Sequence, residues 1–215
     1  MTDEEKLRAY WAEATEGLNE LCGDWFGRLL TAFQARAYHN LQHLLHLCSL
    51  LNQHSAGLSS RRSLLLAIFF HDSVYDPKAG DNEEASAALF REFAAATGLE
   101  EGVEVVAELI EATKGHCTEA HLDKEAVGSD DRHYFLDFDM AILGSPPKDY
   151  AKYKAAIRRE YGHLDDSAYA NGRSKVLRMF LQIPNIFATR AFREAYEAQA
   201  RANVQAEIDE LASSD

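Results

Sequence analysis

The densest chemistry in this chain of 215 residues lies at His71-Asp72, an imidazole and a carboxylate side by side at the end of the apolar run Leu64-Leu65-Leu66-Ala67-Ile68-Phe69-Phe70. Two adjacent metal-binding side chains emerging from a buried helix end are costly for packing and useful mainly for chemistry. Three more clusters sit beside apolar segments: Tyr38-His39-Asn40-Leu41-Gln42-His43, Lys114-Gly115-His116 and Phe135-Leu136-Asp137-Phe138-Asp139-Met140. Imidazoles together with a carboxylate suit a borderline divalent ion such as Mn²⁺, Fe²⁺, Co²⁺, Ni²⁺ or Zn²⁺.

Spacing narrows the choice within each cluster. His39 and His43 are four apart and share a helix face, with His46 close to the next turn. One or two of them suit a metal. Consecutive helical residues project about 100° apart, so His71 and Asp72 reach the same ion only if it lies close to the helix. The plain alternative is an exposed histidine at a helix end with Asp72 capping the next turn. Asp137 and Asp139, two apart, cannot both face one core on a helix, so one is expected to ligate and the other to be solvated or to cap.

The elements that must position these groups are helices. Apolar residues recur every three or four positions and period-two runs of β-branched residues are scarce, so the fold is expected to be all-α, with helices near 3–20, 22–36, 39–55, 60–71, 82–97, 101–115, 129–143, 147–163, 167–182 and 186–213. Asp76-Pro77 and Gly80-Asp81 mark a loop after the doublet, and Gly144-Ser145-Pro146-Pro147 ends the helix bearing Asp139. The polar stretch from Thr118 to Arg132 is either a lid or an ordinary surface connection. The last segment, Ala191 to Leu211, is expected to be a solvated helix covering the core, with a dimer-forming face as the alternative.

Length and a hydrophobic content of 47% suit one domain over residues 1–215 with a sizeable core. The formal charge of -13, from 35 acidic and 22 basic residues, argues against a general nucleic-acid or anionic-membrane binder. No apolar run approaches the roughly 20 residues of a membrane span, and Met1-Thr2-Asp3-Glu4-Glu5 lacks the basic and apolar parts of a signal peptide, so a cytoplasmic location is expected. Cys22, Cys48 and Cys117 form no C-x-x-C spacing and are odd in number, which speaks against a disulfide framework.

Taken in order, the motifs resemble those of the HD-domain superfamily, and most closely its predicted metal-dependent phosphohydrolases. The resemblance rests on Tyr38-His39-Asn40-x-x-His43, Phe70-His71-Asp72-x-Val74-Tyr75, Asp81-Asn82-Glu83-x-x-Ser86, Ala112-Thr113-x-x-His116 and Leu136-Asp137-x-Asp139-x-Ala141-Ile142-Leu143-Gly144. Tyr153-x-x-x-Ile157-Arg158-x-Glu160-Tyr161, Gly172-Arg173 and Glu197-x-x-Ala200-Arg201-x-Asn203 extend it over nearly the whole chain. It implies a helical bundle holding a divalent ion through His43, His71, Asp72 and Asp139, with Asp137 in reserve and open positions for water and substrate.

On that basis Glu83 and Asp72 are the expected catalytic residues, Glu83 as general base or acid toward a metal-activated water. Its plain alternative is stabilisation of a helix N-terminus. Arg36, Lys114 and Arg173 are candidates to clamp phosphate oxygens. His39 and His116 are candidates for substrate contact or ligand orientation, and His116 is the residue a second metal would recruit. The expected activity is hydrolysis of a small phosphate ester, such as a nucleotide. The alternatives are a non-phosphate enzyme on the same site, a hydratase or di-iron oxygenase, or a non-catalytic metal-stabilised module that binds a nucleotide or protein.

Overall fold

The computed structural model describes residues 1–213, and among them it is all-α, as the periodicity requires; the sole β-type pairing is an isolated bridge between Gly128 and Thr189. No helix among the described residues is long and apolar enough to cross a membrane. The chain divides into two compact units, Met1–Gly115 and His116–Asp215, each described by itself.

The first unit contains α1 (Asp3–Ala14), α2 (Cys22–Gln34), α3 (Leu41–Gln53), α4 (Arg61–Phe70), α5 (Asn82–Thr97) and α6 (Val103–Ala112). Local side chains set its starts. Thr2 and Glu5 form a reciprocal cap on α1, Asn40 caps α3, and the Ser60 hydroxyl accepts from the Ser63 amide at 3.2 Å to begin α4. Where periodicity predicts a first helix running to residue 20, the helix stops at Ala14. Gly17 takes φ +80°, a left-handed conformation that turns the backbone away.

Helix α4 is the centre of this unit. Every residue from Ser63 to Phe70 is buried, as befits a helix apolar on all sides, and α4 packs against α1, α3, α5 and α6. Phe70 joins an aromatic cluster, with ring centroids 5.1 Å from Phe93, 5.3 Å from Phe90 and 6.1 Å from Trp11. Truncating such a buried ring costs about 3 to 5 kcal/mol. The rigid core thus ends directly before His71-Asp72.

The second unit contains α7 (Glu119–Leu122), α8 (Asp131–Met140), α9 (Pro147–Glu160), α10 (Asp166–Gln182), α11 (Arg190–Phe192) and α12 (Ala198–Ala212), with one π-helical turn over Arg193–Glu197. Asp130 and Asp165 cap α8 and α10, and Pro147 opens α9, where its missing N–H has no helical partner to lose. Phe135, Phe138, Phe187 and Phe192 are fully buried and form its core with Leu177 and Val204.

Helix α12 covers the core with one face, as expected of this segment: Ala200, Asn203, Val204, Glu207 and Ile208 are buried and α12 packs on α10. The stretch 118–132 is anchored. Asn185 donates to the carbonyls of Ala120 (2.9 Å) and Asp123 (3.0 Å), Arg193 to those of Ala120 and Ala126, and the Gly128 amide to Ala188. At Gly128 an added Cβ would lie 2.3 Å from the His133 ring, so only glycine permits that approach.

The three cysteines are free. Cys22 and Cys48 are buried, and burial pushes the Cys48 thiol up to about 12, so it is an inert core group.

Candidate metal centre

In the first unit, Asn40 sets the angle at which His43 enters. Its side-chain oxygen accepts from the amides of Gln42 (2.9 Å) and His43 (3.4 Å), and its side-chain amide donates to the Ala37 carbonyl (3.0 Å). This cap starts α3 at Leu41 and puts His43 in the first turn, buried, with the Tyr38 ring 5.1 Å away.

His71 closes α4, its amide bonded to the Ala67 carbonyl at 2.8 Å. Its Nδ1 lies 3.0 Å from the Ile68 carbonyl, which can only accept, so Nδ1 carries a proton and Nε2 is the nitrogen turned toward His43 and Asp72. That Nε2 lies 3.2 Å from His43 Nε2 and 3.1 Å from Asp72 Oδ2. A backbone carbonyl holding the far nitrogen is the arrangement that orients a metal-binding histidine.

The spacing fits an ion. Nitrogens each about 2.1 Å from a common ion are about 3.0 Å apart at a right angle and about 3.4 Å apart at the tetrahedral angle. His43 and His71 are both buried, and buried imidazoles facing each other are the donor type of a metal-binding group.

The polypeptide around Asp72 is held from behind. Arg36 donates from Nη1 to the Asp72 carbonyl and from Nη2 to the Ser73 carbonyl (3.3 Å), and its guanidinium lies over the Phe33 and Tyr75 rings. Ser86 bonds both the amide (3.0 Å) and the carbonyl (3.2 Å) of Val74. His39 lies with Nε2 3.9 Å from Asp72 Oδ2 and its ring 4.6 Å from that of Tyr75. His39, His43, His71, Asp72 and Arg36 are therefore gathered in one place.

Glu83 and Lys114 are the remaining first-unit candidates. Glu83 stands half-buried in the first turn of α5, with no hydrogen bond to His71 or Asp72 among the described residues. Lys114 is paired with Glu84 and donates to the Gly80 carbonyl at 2.9 Å. The same pairing holds the Glu84 carboxyl below its usual range and raises Lys114.

The second unit separates the two aspartates. Asp137 is buried and accepts from the amides of Ala188 (2.7 Å) and Thr189 (2.8 Å) and from the Thr189 hydroxyl (2.6 Å). Burial raises its carboxyl against these donors. Both its oxygens are thus taken by its own unit. Asp139 instead places Oδ2 2.6 Å from His116 Nε2, and His116 adopts φ +44°, an uncommon backbone conformation for a non-glycine residue.

Arg173 is mostly buried, with Nε 2.9 Å from Glu207 Oε1 and Nη2 3.2 Å from the Tyr153 hydroxyl; Tyr150 donates to the same Glu207. Composition concealed this network, because Glu207 stands in a segment rich in Ala, Glu, Gln and Arg. The signal that could have exposed it is position: residues 200, 203, 204, 207 and 208 follow a helical stripe, and Glu207 lies on it. His121, fully buried, accepts at Nδ1 from the Thr118 amide (3.0 Å), and burial lowers its pKa to about 4, so it is neutral.

No family model, no curated protein and no solved structure matches this chain.

Proposed function

We propose that this chain is a metal-dependent hydrolase of small phosphate esters, of the HD type, holding a divalent ion through His43, His71, Asp72 and Asp139. The observation that carries the reading is the pair of buried imidazoles whose Nε2 atoms face each other at 3.2 Å beside the Asp72 carboxylate. Two facing imidazole nitrogens next to a carboxylate are a donor set that suits a borderline divalent ion. Asp139 is preferred to Asp137 because three donors of its own unit already occupy Asp137.

When bound, the ion would supply Lewis acidity and make water a nucleophile at neutral pH. The chain's own residues do the rest. Ile68 holds the His71 tautomer, and Arg36 keeps the Asp72 backbone in place through its carbonyl. His39, beside Asp72 and open to solvent on one side, is placed to hold a proton or contact a phosphate oxygen. Lys114 and Arg173 are each matched by a carboxylate, which leaves less of their charge for a phosphate.

The test joins metal content to turnover. Protein purified without added metal should carry a transition ion by elemental mass spectrometry, and His71→Ala should lose it. Wild-type protein should release phosphate from 4-nitrophenyl phosphate or nucleoside monophosphates, with Asp72→Ala at least about a hundredfold slower. Metal without phosphate release would move the reading to a hydratase or oxygenase. No ion bound, even after reloading with Mn²⁺, Fe²⁺, Co²⁺, Ni²⁺ and Zn²⁺, would end it.

A further inference from the structure

The segment that leaves the His71-Asp72 doublet belongs to no helix, so its backbone polar groups must find partners one by one. Helix α5 supplies several of them. Ser86, fully buried, accepts from the Val74 amide (3.0 Å) and donates to the Val74 carbonyl (3.2 Å). Asn82, one turn earlier, accepts from the Asp76 amide and donates to the Asp76 carbonyl, each at 2.9 Å. Each side chain thus bonds both polar groups of one residue, as the opposite residue of a neighbouring strand does in a ladder.

The two pairs match in spacing. Asn82 and Ser86 are four apart on one helix face, a rise of about 6 Å, and two residues of extended chain span about 6.6 Å. One helix face can therefore bond alternate residues of a chain laid along it. The helix gives up something at both positions. Asp81, at the N-cap of α5, makes no side-chain cap bond, and Asn82 directs both polar atoms to Asp76 rather than to the open amides of its own helix. Ser86 buries a hydroxyl where alanine would favour the helix, and the partners that compensate it both belong to Val74.

Asp72 is held between two fixed points. Behind it is the end of α4, where the His71 amide bonds the Ala67 carbonyl; two residues ahead is Val74, bonded to Ser86. Tyr75, between the two clamped residues, has its ring 4.6 Å from that of His39, and His39 Nε2 lies 3.9 Å from Asp72 Oδ2.

We infer that Asn82 and Ser86 are positioning residues of the metal centre: by clamping Val74 and Asp76 they fix the Asp72 carboxylate beside His71 and the Tyr75 ring against His39. The inference rests on the proposed metal centre. It gives the Asp81-Asn82-Glu83-x-x-Ser86 motif a supporting role through backbone contacts, separate from any proton transfer by Glu83.

The test is Co²⁺ binding to the metal-stripped full chain, read as a dissociation constant by competition with a chelator and as a visible absorption spectrum, which reports the ligand geometry around the ion. Ser86→Ala and Asn82→Ala should each weaken binding about 10- to 100-fold and alter the spectrum. Ser86→Thr, which keeps the hydroxyl, should retain tight binding and the wild-type spectrum. Leu7→Ala opens a cavity in the buried face of α1 and should lower the melting temperature without changing the Co²⁺ constant, which separates positioning from loss of stability. Asn82 is less buried than Ser86, so Asn82→Ala should fold even where Ser86→Ala does not. Folded Asn82→Ala and Ser86→Ala with the wild-type constant and spectrum overturn the inference and leave the metal centre standing. Equal weakening in Leu7→Ala also overturns it. A wild type that binds no Co²⁺ removes the metal centre itself, and the inference with it.

Discussion

The Nε2 atoms of His43 and His71 face each other across 3.2 Å, and His71 is fixed in that orientation by the Ile68 carbonyl behind it. Two imidazole nitrogens held this close can share a cation. Chelation should therefore lower the melting temperature of the protein, and Mn²⁺ or Zn²⁺ should raise it again in a concentration-dependent way. At a hundred times the dissociation constant the gain is about 2.7 kcal/mol. In His43→Ala the metal response should vanish. A melting temperature indifferent to metal in the wild type would contradict the site.

Asp137 and Asp139 should separate structure from metal binding. Removing the buried Asp137 leaves three donors without an acceptor, so Asp137→Ala should cost about 3 kcal/mol or more in urea unfolding while the folded fraction keeps its metal. Asp139→Ala should do the reverse, losing metal with little change in the urea midpoint. Equal metal loss in both would remove the distinction.

Arg36 supports the carbonyls of Asp72 and Ser73. If it positions the ligand, Arg36→Met should lower kcat about 10- to 100-fold with KM nearly unchanged, as for other groups that orient ligands. A phosphate clamp would instead show chiefly as a raised KM. Steady-state kinetics on the best phosphate ester separates the two.

His121 should make the fold acid-sensitive. Its pKa is about 4 in the folded chain and about 6.5 when unfolded, so on acidification the unfolded state takes up a proton first. The stability is full above pH 6.5 and is lost as the pH falls toward 4. Between pH 7 and pH 5 the contribution is about 2 kcal/mol. His121→Asn, whose side-chain oxygen can still accept from Thr118, should show a flatter fall by about that amount in urea unfolding at the two pH values.

Much of the architecture was legible because its signals are local. Apolar residues three and four apart marked the helices, and the apolar run 64–70 marked the buried one. The first helix was drawn too long because no periodic pattern marks the left-handed Gly17. The last segment was drawn as one helix from 186, whereas Arg190–Phe192, a π-helical turn and Ala198–Ala212 divide it.

The sequence by itself determined the helical class and the donor types, including an imidazole and a carboxylate adjacent at the end of the core helix. Each follows from neighbours within about one turn, where chain geometry leaves few choices. Only the tertiary structure decided which charges are already spent: Asp137 on Ala188 and Thr189, Arg36 on Asp72 and Ser73, and Arg173 on Glu207, 34 residues away. Partners that distant in the chain are chosen by packing, and a buried charge takes whichever partner the fold brings within hydrogen-bond reach.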